Sequence, residues 1–264
     1  MKKKGRLQRR VVSQISEYPD PKQIFQLITR REWPYSVMFK KQYGCRDRAL
    51  MSFAFVSGGR ITAIVGGPKY ERHGDILSVV AEYAGLKVEN VQVLENLMLI
   101  KSMRVVKRSR KLIERHGLQV SIRDEFAIPL EPDLFENPYW DQLMPFGWLI
   151  LEYLEKYAPD SGSLFLFKRG RAWQIINSVT DMYPNYFRAL AEHFYGHYLL
   201  TDSVKLAKFV KVVRPEQIAH YIGYSWKEQL KDVRLKMDFD WIQDEVVKIQ
   251  KRLGEKMQPE KIRV

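Results

Sequence analysis

The stretch "RDRALMSFAFVSGGRITAIVGG", Arg46 to Gly67, decides the fold. Its apolar residues Leu50, Phe53, Ala54 and Val56 fall on one side of a helix and predict one over about 46–57. Ser57-Gly58-Gly59 ends it, because glycine tolerates the left-handed backbone that follows a helix C-terminus. Arg60 then opens a second, short helical piece that stops at Gly66-Gly67-Pro68. The corner thus sets one arginine between two apolar runs. A guanidinium there is costly unless something anionic meets it. A local carboxylate, Asp47 or Glu82, is one candidate for that anion.

Composition narrows the other candidates. The chain has 264 residues, 45% of them hydrophobic and 12% aromatic, enough for a substantial core and against wholesale disorder. Lys and Arg total 44 against 31 Asp and Glu, a formal charge of +13. Such an excess favours nucleic-acid phosphates or anionic membrane surfaces through counterion release. The single cysteine, Cys45, excludes an internal disulfide and a multi-cysteine metal site, and it is expected as a small half-buried side chain in a reducing compartment. "FGWLILEYL" is too short for a membrane span and carries Glu152. The start "MKKKGRLQRRVV" lacks the apolar run of a secretory signal, so a cytoplasmic, DNA-associated location is expected. The balance of Lys, Arg, Ile, Val and Tyr over Cys suits a thermophile.

Working outward, residues 1–19 read as a basic arm in which Lys2, Lys3, Lys4, Arg6, Arg9 and Arg10 are positioned to grip phosphates. A helix follows from Pro21, capped by Asp20, with Ile24, Phe25, Leu27 and Ile28 facing inward. "ILSVVAEYAGL", 76–86, is expected to be helical, and "VENVQVLENLMLI" to form a strand pair turning at Glu95-Asn96. Residues 101–123 are the most basic internal segment, with Arg104, Lys107, Arg108, Arg110 and Lys111 as candidate DNA contacts. "FAIPL", 126–130, predicts a short strand and "FGWLILEYLEKYAP" a buried helix. "SGSLFLFKRGRAWQIINSV" predicts a short strand, a basic turn holding Lys168, Arg169 and Arg171, and a helix. The last third reads as helical, ending in a long helix with Leu230, Val233, Met237, Ile242, Val246, Ile249 and Leu253 near heptad spacing. That helix would cover its own core or join a second copy into a homo-oligomer. The division is a basic arm (1–19), one domain (20–235) and a C-terminal helix and tail (236–264). The fold class is mainly α with a small antiparallel β-sheet.

This order of elements resembles the catalytic domain of the tyrosine recombinases, the phage integrase family, over about residues 20–235. Ser57-Gly58-Gly59-Arg60 is similar to the family turn that delivers the first catalytic arginine. Phe126–Leu130 is similar to the strand that follows the hairpin lysine, for which Lys101 is the first choice and Lys107 the second. Asn185-Tyr186-Phe187-Arg188 stands in place of the His-x-x-Arg box, and Ile222-Gly223-Tyr224 in place of the Leu-Gly-His turn. The resemblance implies that Arg60 and Arg188 clamp the non-bridging oxygens of a DNA phosphate, with Lys101, Asn185 and Tyr224 at the other family-equivalent positions.

The departures are chemical. Asn185 hydrogen-bonds but does not shuttle protons near neutrality. Ala63 replaces the acid usual three places after the first arginine, and no tyrosine follows Tyr224, where the family's nucleophile lies. Tyr224 or Tyr221 is the remaining phenol near that place. The expectation is a protein that binds double-stranded DNA without cleaving it. The alternatives are an active recombinase with a non-standard or trans-supplied nucleophile, and an RNA-binding or structural factor. His193 and His197 share a helical face but have no evident third ligand, and "GGPKYERHGD" lacks the phosphate-loop pattern, so no metal or other cofactor is expected.

Overall fold

The computed structural model describes residues 19–29, 37–73, 76–103, 123–180, 183–199 and 240–253. Helix α1, Pro21–Thr29, starts at a reciprocal cap. Asp20 Oδ1 accepts from the Gln23 amide at 2.7 Å, and Gln23 Oε1 accepts from the Asp20 amide at 3.0 Å. Ile24, Phe25 and Ile28 are buried as the spacing predicts, and Leu27 packs at the edge of the core.

Helix α2, Val37–Ser57, begins earlier than its sequence pattern suggests and runs through the middle of the molecule. Leu50, Met51, Phe53 and Phe55 on it are fully buried. After the corner come the short α3, Ile61–Val65, and strand β1, Gly67–His73. Residues 76–86, expected to be helical, instead form strand β2, Ile76–Tyr83, antiparallel to β1 with a bulge at Lys69/Tyr70. Val79 in this strand is 60% exposed, while Leu86 beyond it is buried. The strand's Ile and paired Val residues suit an extended backbone that its neighbour in sequence satisfies. A second sheet holds β3 (Val91–Val93), β4 (Leu97–Met103) and β5 (Arg123–Pro129), all antiparallel in the order β3-β4-β5. The turn at 95–96 and the strand ending in Pro129 lie where the sequence suggests.

Helix α4, Met144–Lys156, is buried along nearly its whole length and packs on α2. The short strand expected before the basic turn is absent among the described residues. Ser163 makes one bridge to Lys87, and the Leu164 amide donates to Leu86 O at 2.9 Å. Leu164 and Phe165 go into the core while Leu166 turns out, so the chain anchors rather than extends. Helices α5 (Arg169–Thr180) and α6 (Asn185–Phe194) follow, and α6 passes directly into a π-helical turn at Tyr195–Leu199.

The described part of the C-terminal helix, α7 (Asp240–Leu253), packs on α4 of the same chain. Trp241, Ile242, Val246 and Ile249 are buried, and the Trp241 ring meets that of Phe25. Arg252 reaches the buried Glu152 at 3.3 Å. Of the two fates the heptad spacing allowed, this face covers its own core; Leu230, Val233 and Met237 lie outside the described residues. Burial pushes the nearby Cys45 thiol up to about 12, with the Glu152 charge adding to the effect, so this cysteine stays protonated. Among the described residues no helix is long and apolar enough to cross a membrane.

The C-terminal end of α3 is locked by a close approach. A Cβ at Gly85 would stand 2.6 Å from Ile64 O, Val65 C and Gly66 N. Gly85→Ala should therefore destabilise by about 1–3 kcal/mol through forced backbone movement. Gly170, on α5 with open space around it, should gain about 0.5–1 kcal/mol on substitution by Ala. Urea unfolding of the two variants checks both signs.

Candidate functional site

The site is built where α2 ends. Ser57 Oγ donates to Phe53 O at 2.6 Å and accepts from the Gly59 amide at 3.0 Å, tying off the last turn. Gly58 takes φ 56°, a left-handed conformation that suits glycine. Arg60 then sits in extended backbone (φ −70°, ψ 140°) as the N-cap of α3, and its carbonyl accepts from Ala63 at 2.7 Å. Ile61 to Val65 are all buried, so α3 is fixed by packing and Arg60 is held at the edge of the core.

Helix α6 is brought to the same place by aromatic contacts and one hydrogen bond. Phe194 meets Phe55 with ring centroids 5.9 Å apart, and Tyr195 Oη donates to Val56 O at 2.5 Å. That bond joins the π-helical turn after α6 to the last turn of α2, beside Gly58. Such turns interrupt helices at functional sites more often than elsewhere.

On α6, Arg188 is 6% exposed and Glu192, one turn later, is wholly buried. Arg188 Nε stands 2.6 Å from Glu192 Oε1, close enough for a charge-assisted hydrogen bond that favours the ionised carboxylate. The charges of both Arg188 and Arg60 act on this carboxylate. Arg188 thus meets the buried acid on its own helix, one turn away. The two carboxylates suggested as local partners of Arg60 each hold another cation: Asp47 pairs with Arg46 at 2.7 Å, and Glu82 with Lys168.

Burial outweighs both arginines and raises the Glu192 carboxyl from its ordinary value of 4.5 to about 7. The sequence gives one signal for it, the i,i+4 spacing of Arg188 and Glu192, which puts them on one helical face. The burial of Glu192 could not be read there.

The other candidates are spread more widely. Asn185 is the exposed first residue of α6, one turn before Arg188. Lys101 is half-buried on β4, opposite Glu125 on β5 and on the side away from the buried Met98 and Ile100. Lys168, Arg169 and Arg171 are exposed where α5 begins, with Lys168 engaged by Glu82 and Arg171 Nη1 donating to Gln174 Oε1 at 3.1 Å. Two half-exposed rings missed in the sequence, Trp173 and Tyr183, meet beside them with centroids 6.3 Å apart, and Leu166 is 78% exposed nearby in sequence. The result is a basic ridge with aromatic faces. Tyr224 lies outside the described residues, as do Tyr221, Lys2, Lys3, Lys4, Arg6, Arg9, Arg10, Arg104, Lys107, Arg108, Arg110 and Lys111.

His193 and His197 lie with ring centroids 4.2 Å apart, yet among the described residues no group of three or more His, Cys, Asp or Glu is placed to hold a metal ion. Comparison with family models, with curated proteins and with solved structures finds no match to this chain.

A carboxyl raised on folding binds a proton that the unfolded chain has already lost. Between about pH 4.5 and pH 7 the folded state therefore holds more protons, and Glu192's contribution to stability declines as pH rises through that window. Glu192→Gln should flatten the fall in melting temperature over this range, measured against the wild-type profile.

Proposed function

We propose that this chain is a DNA-binding protein with the architecture of a tyrosine-recombinase catalytic domain, gripping a backbone phosphate with Arg60 and Arg188. One observation carries the reading: Tyr195 Oη donates to Val56 O and so ties the end of α6, the helix of Arg188, to the end of α2, where the corner carries Arg60. In this reading the two planar guanidiniums meet the non-bridging oxygens of a phosphodiester, which accept paired N–H donors. The formal charge of +13 supplies the long-range attraction. Lys168, Arg169, Arg171 and Trp173 form a second contact surface, where cations meet phosphates and an aromatic face meets sugar or base. The basic arm and the segment from Arg104 to Lys111 extend the sequence-independent contacts.

The order of elements supports the recombinase likeness. The Ser-Gly-Gly-Arg corner, an antiparallel sheet whose last strand runs into Pro129-Leu130, a buried helix and the arginine-bearing α6 follow one another as in that family. Absence of a tyrosine after Tyr224 argues that the protein holds DNA without cutting it.

Arg60→Ala is the cleanest test, because Arg60 is only partly buried. Arg188→Ala would strand the buried Glu192 without its partner, at a cost of about 3–5 kcal/mol. Duplex affinity of Arg60→Ala should fall by about tenfold or more, and the slope of log affinity against log salt should shrink by about 1. Unchanged affinity and slope would remove the phosphate clamp. Incubated with supercoiled plasmid, the wild-type protein should yield neither relaxed circles nor a covalent adduct; either product would make it an active recombinase. Stronger binding to RNA than to duplex DNA in a gel shift would favour an RNA-binding factor.

A further inference from the structure

An exposed aromatic pair stands at the start of α5 among three cations. From Leu166 to Gln174 the chain reads Leu-Phe-Lys-Arg-Gly-Arg-Ala-Trp-Gln, with no acidic residue. Lys168, Arg169 and Arg171 are exposed, and Glu82 of β2 engages Lys168. Trp173 is 40% exposed and Tyr183, just before α6, is 41% exposed. Their ring centroids stand 6.3 Å apart with planes tilted by 44°, so the pair makes an open angle and not a closed stack. Side chains on a helix lean toward its N-terminus, so the indole lies over the turn of Arg169 and Gly170. A Cβ at Gly170 would stand in open space, so that turn leaves room beside the ring. Arg169 shares Trp173's side of the helix through i,i+4 spacing.

We propose that Trp173 and Tyr183 form a stacking platform for an unpaired base, with Arg169 and Arg171 on the backbone of the single strand that carries it. This rests on the DNA-binding reading above, though not on its arginine clamp, and it names the substrate class: DNA with an unpaired stretch. A duplex stacks its base faces on one another, so a ring on a protein ridge meets a base face only where the strand is open. A continuous duplex would use the cations and leave both rings in water. Stacking tolerates every base, because every base has a π-face, and cations beside the rings supply the contacts to phosphate. An acid-free segment with three cations complements that backbone.

Aromatic and basic residues together also suit an anionic lipid surface, where binding grows with the apolar area that enters the interface. The structure leaves little such area here. The apolar side of α5, with Ala172, Ile175, Ile176 and Val179, is buried in the core. Beside the two rings, Leu166 is the large aliphatic side chain that this segment exposes, at 78%. One leucine and two half-covered rings make a poor membrane anchor and a sufficient wall for one base.

The experiment titrates the full chain into a labelled oligothymidine strand and into a labelled hairpin duplex with the same number of phosphates, over a range of salt. Trp173→Ala should bind the single strand about tenfold more weakly and the duplex within about twofold of wild type. Its slope of log affinity against log salt should stay as in wild type, because stacking releases no counterions. Trp173→Phe, which keeps a ring, should recover most of the lost affinity. Arg169→Ala should shrink the single-strand slope by about 0.7. As a check that needs no variant, wild type should bind a duplex with a single-stranded tail more tightly than a blunt duplex of equal charge; equal affinity overturns the proposal. A folded Trp173→Ala variant that loses both affinities alike, or neither, overturns it too. Binding of wild type to phosphatidylserine vesicles that Trp173→Ala abolishes, with oligonucleotide binding unchanged, would assign the ridge to a lipid surface instead. The two readings fail separately. If Arg60→Ala keeps duplex affinity while Trp173→Ala weakens single-strand binding, the clamp falls and the platform stands; in the reverse case only the platform falls.

Discussion

The contact between α2 and α6 is the constraint on which the site depends. Tyr195 Oη reaches back to Val56 O, and Phe55 and Phe194 share the space between the helices. These contacts set α6, the helix of Arg188, beside the last turn of α2, which the corner with Arg60 follows. The hydrogen bond is buried and spends the Tyr195 hydroxyl on a carbonyl at the helix end, where such acceptors lack intrahelical donors. One side chain thereby closes the helix and sets the angle of its neighbour.

The electrostatics follow from that geometry. A carboxylate sealed from water is unstable, and two cations offset the cost only in part. Glu192 therefore sits near neutrality between charged and uncharged forms, which an exposed Glu-Arg pair would not do. Glu152 meets Arg252 and Lys156 and fastens α7 to α4. That cluster is a staple between helices, whereas Arg188 and Glu192 pair within α6.

Much of the scaffold was legible because its signals are local. Asp20 and Pro21 announce α1, glycine announces the end of α2, and the run from Phe146 to Tyr153 has apolar residues on every side, as a buried helix requires. The strand β2 was misread because Ile76, Val79 and Val80 suit either form along the sequence, and the pairing with β1 selects the strand. At Leu164 the pairing stops after one bridge, Ser163 with Lys87, and Leu164 and Phe165 turn into the core instead.

The sequence by itself determined the corner, the arginine it carries, the buried helices and the excess positive charge. Each depends on residues close together in the chain or on composition alone. Tertiary structure decided the state of Glu192: it seals this carboxyl from water beside Arg188 and raises it to about 7. Burial and proximity belong to the packed molecule, and no spacing along the chain encodes the cost of removing a carboxylate from solvent.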